Sequence, residues 1–200
     1  MDERPFFRYH PNYYSELKYE TKYCTEIDPD TKQYVKFRPK DKYVCDCCGK
    51  ESDVHEGGMY NEHDRYWVDV SSICPVCVAN GAAARKFNGR FNLIDPDAVP
   101  SDPERSDEIQ HRTPGILTYQ WQEWPVCCDD YCIFLGHCLN EPVAKLNLSN
   151  EELHPYPDDE FQREYLCGVD GVMEWLMDGD DLLIFHCARC GKYYMLDDSD

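Results

Sequence analysis

Apolar positions along this chain fall in short, uneven runs, and one stretch alone keeps a helical period for several turns. From Glu160 to Met177 apolar side chains recur at Phe161, Tyr165, Leu166, Val169, Val172, Met173, Leu176 and Met177, which predicts a helix weakened in its middle by Gly168 and Gly171. The other signals are brief. Residues 1–40 form an arm in which Pro5, Pro11, Pro29 and Pro39 forbid a long helix, leaving short strands such as Tyr34 to Phe37. Gly57 to Val70 alternates in the manner of a hairpin, and the stretch ICPVCVANGAAARKF opens an alanine-rich helix. The segment DPDAVPSDPERSDEIQHRTPG, residues 95–115, is rich in Asp, Pro and Ser without apolar periodicity and reads as a linker or surface loop. The closing LLIFHCARCGKYYMLDD predicts two short strands joined at a cysteine pair.

These elements predict an α+β fold in a single domain, residues 1–200: an arm (1–40), a first module (41–94), an acidic, Pro-rich loop (95–115) and a second module (116–200). Hydrophobic residues make up 42% of the chain, but 15 Tyr and 13 Cys supply much of that share, so an aliphatic core would be small. The formal charge is −19, from 39 acids against 20 bases. Such a surface repels phosphate backbones, which excludes nucleic acid as the expected partner and favours a basic protein. The most apolar segments, Tyr131 to Leu139 and Leu182 to Phe185, fall short of the roughly 18 residues that a membrane span needs. The opening MDERPFFRYHPNYY lacks the pattern of a signal peptide, and the expectation is a cytoplasmic protein in a reducing compartment, where thiols persist as metal ligands.

Three C-x-x-C pairs are present: Cys45 with Cys48, Cys74 with Cys77, and Cys187 with Cys190. Two residues between thiols is the spacing at which a tight turn aims both sulfurs at one ion about 2.3 Å away, and two pairs complete a tetrahedron. Gly follows directly in CDCCGK and CARCGK, supplying the positive φ that lets backbone amides curl over the sulfurs. A cysteine knuckle, a hairpin and a helix opened by the second pair make a treble-clef-like order, so Cys45, Cys48, Cys74 and Cys77 are the first candidate zinc site. Cys47 is then a bystander facing away. A second zinc knuckle, on the terminal β-hairpin, brings Cys187 and Cys190, whose partners come from CCDDYC. A helical turn there would put Cys128 and Cys132 on one face, which makes them the chosen pair. Cys127, His137, Cys138 and His186 remain open as substitutes. Two structural Zn2+ ions per chain are expected. Cys24 and Cys167 lack such neighbours and read as small buried apolar residues.

Catalytic signals are weak. No H-E-x-x-H motif occurs, and four thiolates leave no open position for a reactive water. Cys-Pro-Val-Cys also matches the spacing of thioredoxin-like redox motifs, but another cysteine pair and an acidic, aromatic arm precede it where such folds place a first strand.

Taken together, FRYHP (Phe7 to Pro11), CDCCGK (Cys45 to Lys50), ICPVCVANGAAARKFNGRF (Ile73 to Phe91), RTPG (Arg112 to Gly115), WPVCCDDYCIFLG (Trp124 to Gly136) and FHCARCGKY near the end resemble the CbrC family, bacterial proteins with three C-x-x-C motifs. The family more often has Cys-Pro-Trp-Cys followed by Ile-Ala-Asp-Gly, where this chain has Val76, Val78 and Asn80. Where the family tends to have His, this chain has Cys127. The resemblance implies a cytoplasmic, zinc-bound bacterial protein with a role in tolerating a protein toxin, a colicin, and it brings no enzymatic activity. The leading expectation is a zinc-stabilised interaction protein whose acidic groups, among them Asp129, Asp130, Asp158, Asp159, Asp180 and Asp181, engage a basic partner. The alternative is a thiol redox protein or an enzyme using a C-x-x-C motif or a pocket around Tyr9, His10 and His137. Oligomeric state is not legible.

Overall fold

A computed structural model describes residues 4–17, 25–27, 34–36, 42–63, 66–116, 118, 123–138, 143, 145–149, 152–156 and 182–198. The helix expected for Glu160 to Met177 lies outside these residues, as do Cys24, Cys167, Asp158, Asp159, Asp180 and Asp181.

The described elements are α+β and short. Strands β1 (Thr25–Ile27) and β2 (Tyr34–Lys36) pair antiparallel in the arm. In the first module β3 (Tyr43–Val44) and β4 (Glu51–Ser52) flank the first cysteine knuckle, with Tyr43 opposite Ser52. The hairpin read from alternation over Gly57 to Val70 is present: the Val68 amide bonds the Met59 carbonyl, and that of Asn61 bonds Tyr66. Its strand β5 (Tyr60–Asn61) also pairs with β6 (Gly89–Arg90).

The alanine-rich helix is two helices, α1 (Pro75–Ala79) and α2 (Ala82–Phe87). Gly81 divides them, because its φ of 66° reverses the chain where a side chain would be strained. Residues 95–115 differ from the expected loop. They contain α3 (Pro103–Arg112), in which Asp102 accepts a bond from the Glu104 amide and Pro103 opens the first turn. Only Ile109 of this helix is buried, so its start is fixed by capping and its apolar face is one residue wide.

The second module is built on a four-stranded sheet in the order β10 (Leu153–Pro155), β12 (Tyr193–Asp197), β11 (Leu182–His186), β9 (Ile133–His137). The two predicted terminal strands are β11 and β12, antiparallel with His186 opposite Tyr193, and the second knuckle joins them. A small hairpin of β7 (Val126–Cys127) and β8 (Asp130–Tyr131) lies just before β9. Aromatic rings fill the core here: Trp124, Phe134 and Phe185 are buried together, with Phe134 and Phe185 centroids 5.1 Å apart. Burial of side chains this size contributes about 1.5–3 kcal/mol each, which compensates for the scarcity of aliphatics.

The N-terminal segment is more than an arm. Phe7 and Tyr13 pack into the core of the first module, while Tyr9 packs into that of the second. The Phe134 amide donates to the Tyr9 carbonyl at 2.8 Å, and Asn12 Nδ2 donates to the Leu135 carbonyl at 2.7 Å, so the segment lies along β9.

Candidate metal centres

Both C-x-x-C-G-K knuckles close by the same bonds. In the first, the Gly49 amide donates to the Cys45 carbonyl and the Cys45 amide to Lys50; in the second, Gly191 donates to Cys187 and Cys187 to Lys192. Gly49 and Gly191 have φ of 73° and 77°, and this left-handed turn explains why glycine follows each pair.

The fold brings Cys45, Cys48, Cys74 and Cys77 together, their sulfurs all within 4.8 Å of one another. Four sulfurs about 2.3 Å from a central ion stand about 3.8 Å apart, and the Cys48 and Cys74 sulfurs are 3.9 Å apart. Cys74 caps α1, with Cys77 in that helix's first turn. The Cys74 amide donates to Cys45 Sγ at 3.2 Å. Burial pushes the Cys45 thiol up, but the amides of Cys74, Cys48 and Cys47 outweigh it and bring it down to about 7. Burial pushes Cys77 upward, and neighbouring thiols add to the shift. A divalent cation held at the centre would invert that balance and favour all four as thiolates.

Around this group the knuckle is fastened twice. Asp46 Oδ2 accepts from the Ser71 and Ser72 amides at 2.9 and 3.0 Å, tying the knuckle to the end of the hairpin. Lys86 Nζ, from α2, donates to the Asp46 and Cys47 carbonyls at 2.7 and 2.8 Å. Cys47 stays outside the sulfur group and packs, half-buried, against the first core.

The second group consists of Cys127, Cys128, Cys187 and Cys190, again within 4.8 Å. Cys127 Sγ lies 3.6 Å from both Cys128 Sγ and Cys190 Sγ. The expected pairing of Cys128 with Cys132 requires a helical turn, and the backbone takes another course. Cys128 and Asp129, at φ of 52° and 58°, form the two-residue turn of the β7–β8 hairpin, a conformation that hairpin twist favours. Cys127 and Cys128 therefore face the knuckle. Cys132 is fully buried beneath, where burial pushes its thiol upward and its carbonyl accepts from Trp124 Nε1 at 2.7 Å.

Electrostatics differ across the second group. The Lys192 amide lowers the exposed Cys190 thiol to about 7, whereas burial raises Cys127 to about 12. Tyr194 donates its hydroxyl hydrogen to Cys127 Sγ at 3.1 Å. His137, Cys138 and His186 stand elsewhere: His137 is paired with buried Glu16, Cys138 packs on a third apolar cluster, and the His186 ring lies 4.7 Å from that of Tyr193.

Asp130 is buried rather than part of an open acidic surface. Its carboxylate accepts from the Tyr9 hydroxyl at 2.8 Å and pairs with Arg8 at 2.9 Å and Arg105 at 3.3 Å. Asp129, although exposed, bonds the Ser101 amide and hydroxyl. The arm and α3 thus converge on the turn that carries Cys128. Sequence reasoning misses this network, whose only signal is the paired acid CCDDY beside two cysteines.

Tyr9, His10 and His137 are all buried. They do not line the cleft between the modules, which is bounded by Tyr60, Phe91, Leu93, Glu123 and Trp124 and encloses about 20 Å³, room for a single water. Among the described residues no helix is long and apolar enough to cross a membrane.

The chain is similar to known proteins over most of its length. A family model described as an uncharacterised protein family, UPF0167, matches residues 26–199. A UPF0167 protein of Pseudomonas aeruginosa is 30% identical over 147 residues, spanning 71% of this chain and 68% of its own length. UPF0167 proteins of Mycobacterium bovis and Mycobacterium tuberculosis are each 29% identical over 162 residues, spanning 76% of this chain and 81% of theirs. No solved structure matches.

Proposed function

We propose, from the premise that this chain belongs to the uncharacterised protein family UPF0167, that it is a non-enzymatic interaction protein held by two structural zinc ions and presenting an acidic surface to a basic protein. The observation that carries this reading is the pair of all-cysteine tetrads. Four soft thiolates in a tetrahedral set suit zinc, and they fill its coordination sphere, leaving no position for a catalytic water. The knuckle, hairpin and capped helix of the first module support a treble-clef-like centre, and the second knuckle sits on the β11–β12 hairpin. A reducing cytoplasm is the setting in which such thiols stay available to metal.

The charge of −19 supports a cationic partner, drawn in by long-range attraction. The resemblance to the CbrC family extends the reading to tolerance of a colicin, in which an acidic protein masks a basic toxin domain. Elemental analysis of the chain purified without chelator is expected to give two zinc ions per chain, one for each tetrad. A value near zero, with disulfides found by mass spectrometry, sinks the zinc reading and revives a thiol redox protein.

For the partner, capture from the host at low salt is expected to recover a basic protein that roughly 0.5 M salt releases. Replacing Asp129, the member of the Asp129 and Asp130 pair that stays exposed, by Asn is expected to weaken that capture. Indifference to salt leaves the charge as an aid to solubility alone.

A further inference from the structure

The two tetrads differ in how they meet solvent. Cys45, Cys74 and Cys77 are buried and only Cys48 of the first group is exposed, whereas in the second group Cys128 and Cys190 are exposed, Cys127 is half-buried and only Cys187 is buried. Oxidation of sulfur by a peroxide requires an approach to the sulfur itself, so exposure decides which thiolate reacts first. It also requires a second sulfur within reach if the product is to be a disulfide.

We propose that the second tetrad is an oxidation site, at which hydrogen peroxide joins Cys190 to Cys127 and frees the metal while the first tetrad stays reduced. This rests on the reading that both tetrads hold zinc. Cys128 and Cys190 are the exposed members, and of these Cys190 has Cys127 Sγ 3.6 Å away as a resolving partner that is not its neighbour in sequence. The sulfurs then close to the bond length of about 2.05 Å. Cys128 is as near to Cys127, but neighbours in sequence are bridged only through a strained eight-membered ring. Cys127 and Cys190 instead sit on separate hairpins, 63 residues apart, whose tips can approach each other.

The step balances. The Cys190 thiolate attacks one peroxide oxygen, the O–O bond breaks, and hydroxide leaves a sulfenic acid behind. The Cys127 thiolate attacks that sulfur, the S–S bond forms, and a second hydroxide departs. Two solvent protons convert the hydroxides to water; the two sulfurs lose two electrons between them and the peroxide gains two. With two of its four ligands gone, the ion leaves. In the first tetrad, burial shields three of the four sulfurs and the Cys74 amide bond occupies Cys45 Sγ.

The test uses the full chain purified anaerobically with its zinc. Hydrogen peroxide is added, released zinc is followed with a chromogenic chelator, and thiols are labelled before and after for peptide mass mapping. The expected result is two phases, one ion leaving about ten-fold faster or more, with a crosslink between the peptides containing Cys127 and Cys190 and free thiols at Cys45, Cys74 and Cys77. Thiol reductant with added zinc should restore the starting content. Release of both ions at one rate, earlier oxidation of the first tetrad, or fast release with sulfinic acids and no crosslink overturns the proposal and leaves the zinc reading intact. A purified chain with no metal at the second tetrad overturns both.

Discussion

The Tyr194 hydroxyl donates to Cys127 Sγ across 3.1 Å, so a strand of the four-stranded sheet reaches directly into the second sulfur group. Burial pushes this phenol upward, which keeps it a donor at any ordinary pH. Tyr194→Phe removes the bond while keeping the ring. Metal affinity at the second centre is expected to fall by about ten-fold or more, the usual effect of losing a partner behind a ligand, with no change at the first centre. Competition with a graded series of chelators measures this.

Cys127 and Cys132 make opposite predictions. Cys127→Ser should cost one equivalent of metal, because it removes a member of the second group. Cys132→Ala should keep both ions and lose on the order of 1 kcal/mol through the small cavity it opens. Elemental analysis beside thermal unfolding separates the two, and loss of an ion from the Cys132 variant would restore the helical-face assignment. In the first module Cys74→Ser should both lose an ion and unfold the segment, since metal binding and folding there are one free energy.

Asp130→Asn leaves the side chain's shape but strips charge from a carboxylate held by Tyr9, Arg8 and Arg105. A buried group of this kind is expected to cost about 2–4 kcal/mol when its charge partners are stranded. Asp129→Asn, at the exposed neighbour, should leave stability close to that of the parent chain. Denaturant unfolding of the two variants tests the contrast, and equal losses would count against the buried network.

His10 predicts an acid-sensitive stability. Burial lowers its imidazole from an ordinary 6.5 to about 3, opposed by the Pro114 carbonyl and aided by His137. Between those values the unfolded chain binds a proton that the folded chain refuses. Stability from this group is therefore complete above about 6.5 and is lost as pH falls toward 3, at up to about 1.4 kcal/mol per pH unit. His10→Leu should flatten the slope of stability between pH 5 and 6.5 relative to the parent chain. Parallel slopes would show that His10 does not contribute.

The first sulfur group is legible because spacing alone identifies it: C-x-x-C pairs, glycine after the knuckle and proline at the start of α1 are local signals. So is the terminal hairpin, where Leu182 to Phe185 and Tyr193 to Leu196 flank the knuckle. The second group is half legible. Choosing between Cys127 and Cys132 depends on whether Cys128 and Asp129 adopt positive φ, which neither residue advertises and which tertiary packing around Asp130 decides. Helix α3 escapes because its evidence lies in the Asp102 cap and Pro103, with a single buried side chain at Ile109 to show periodicity. The role of FRYHP is invisible for another reason: its aromatics alternate between two cores that sequence does not reveal to be adjacent.

That alternation has a mechanical side. Phe7 and Tyr13 are keyed into one core and Tyr9, between them, into the other, so neither half can loosen without pulling the same short segment out of its neighbour. The two knuckle-bearing halves are thereby expected to share part of their unfolding, since a segment lost from one core is lost from the other.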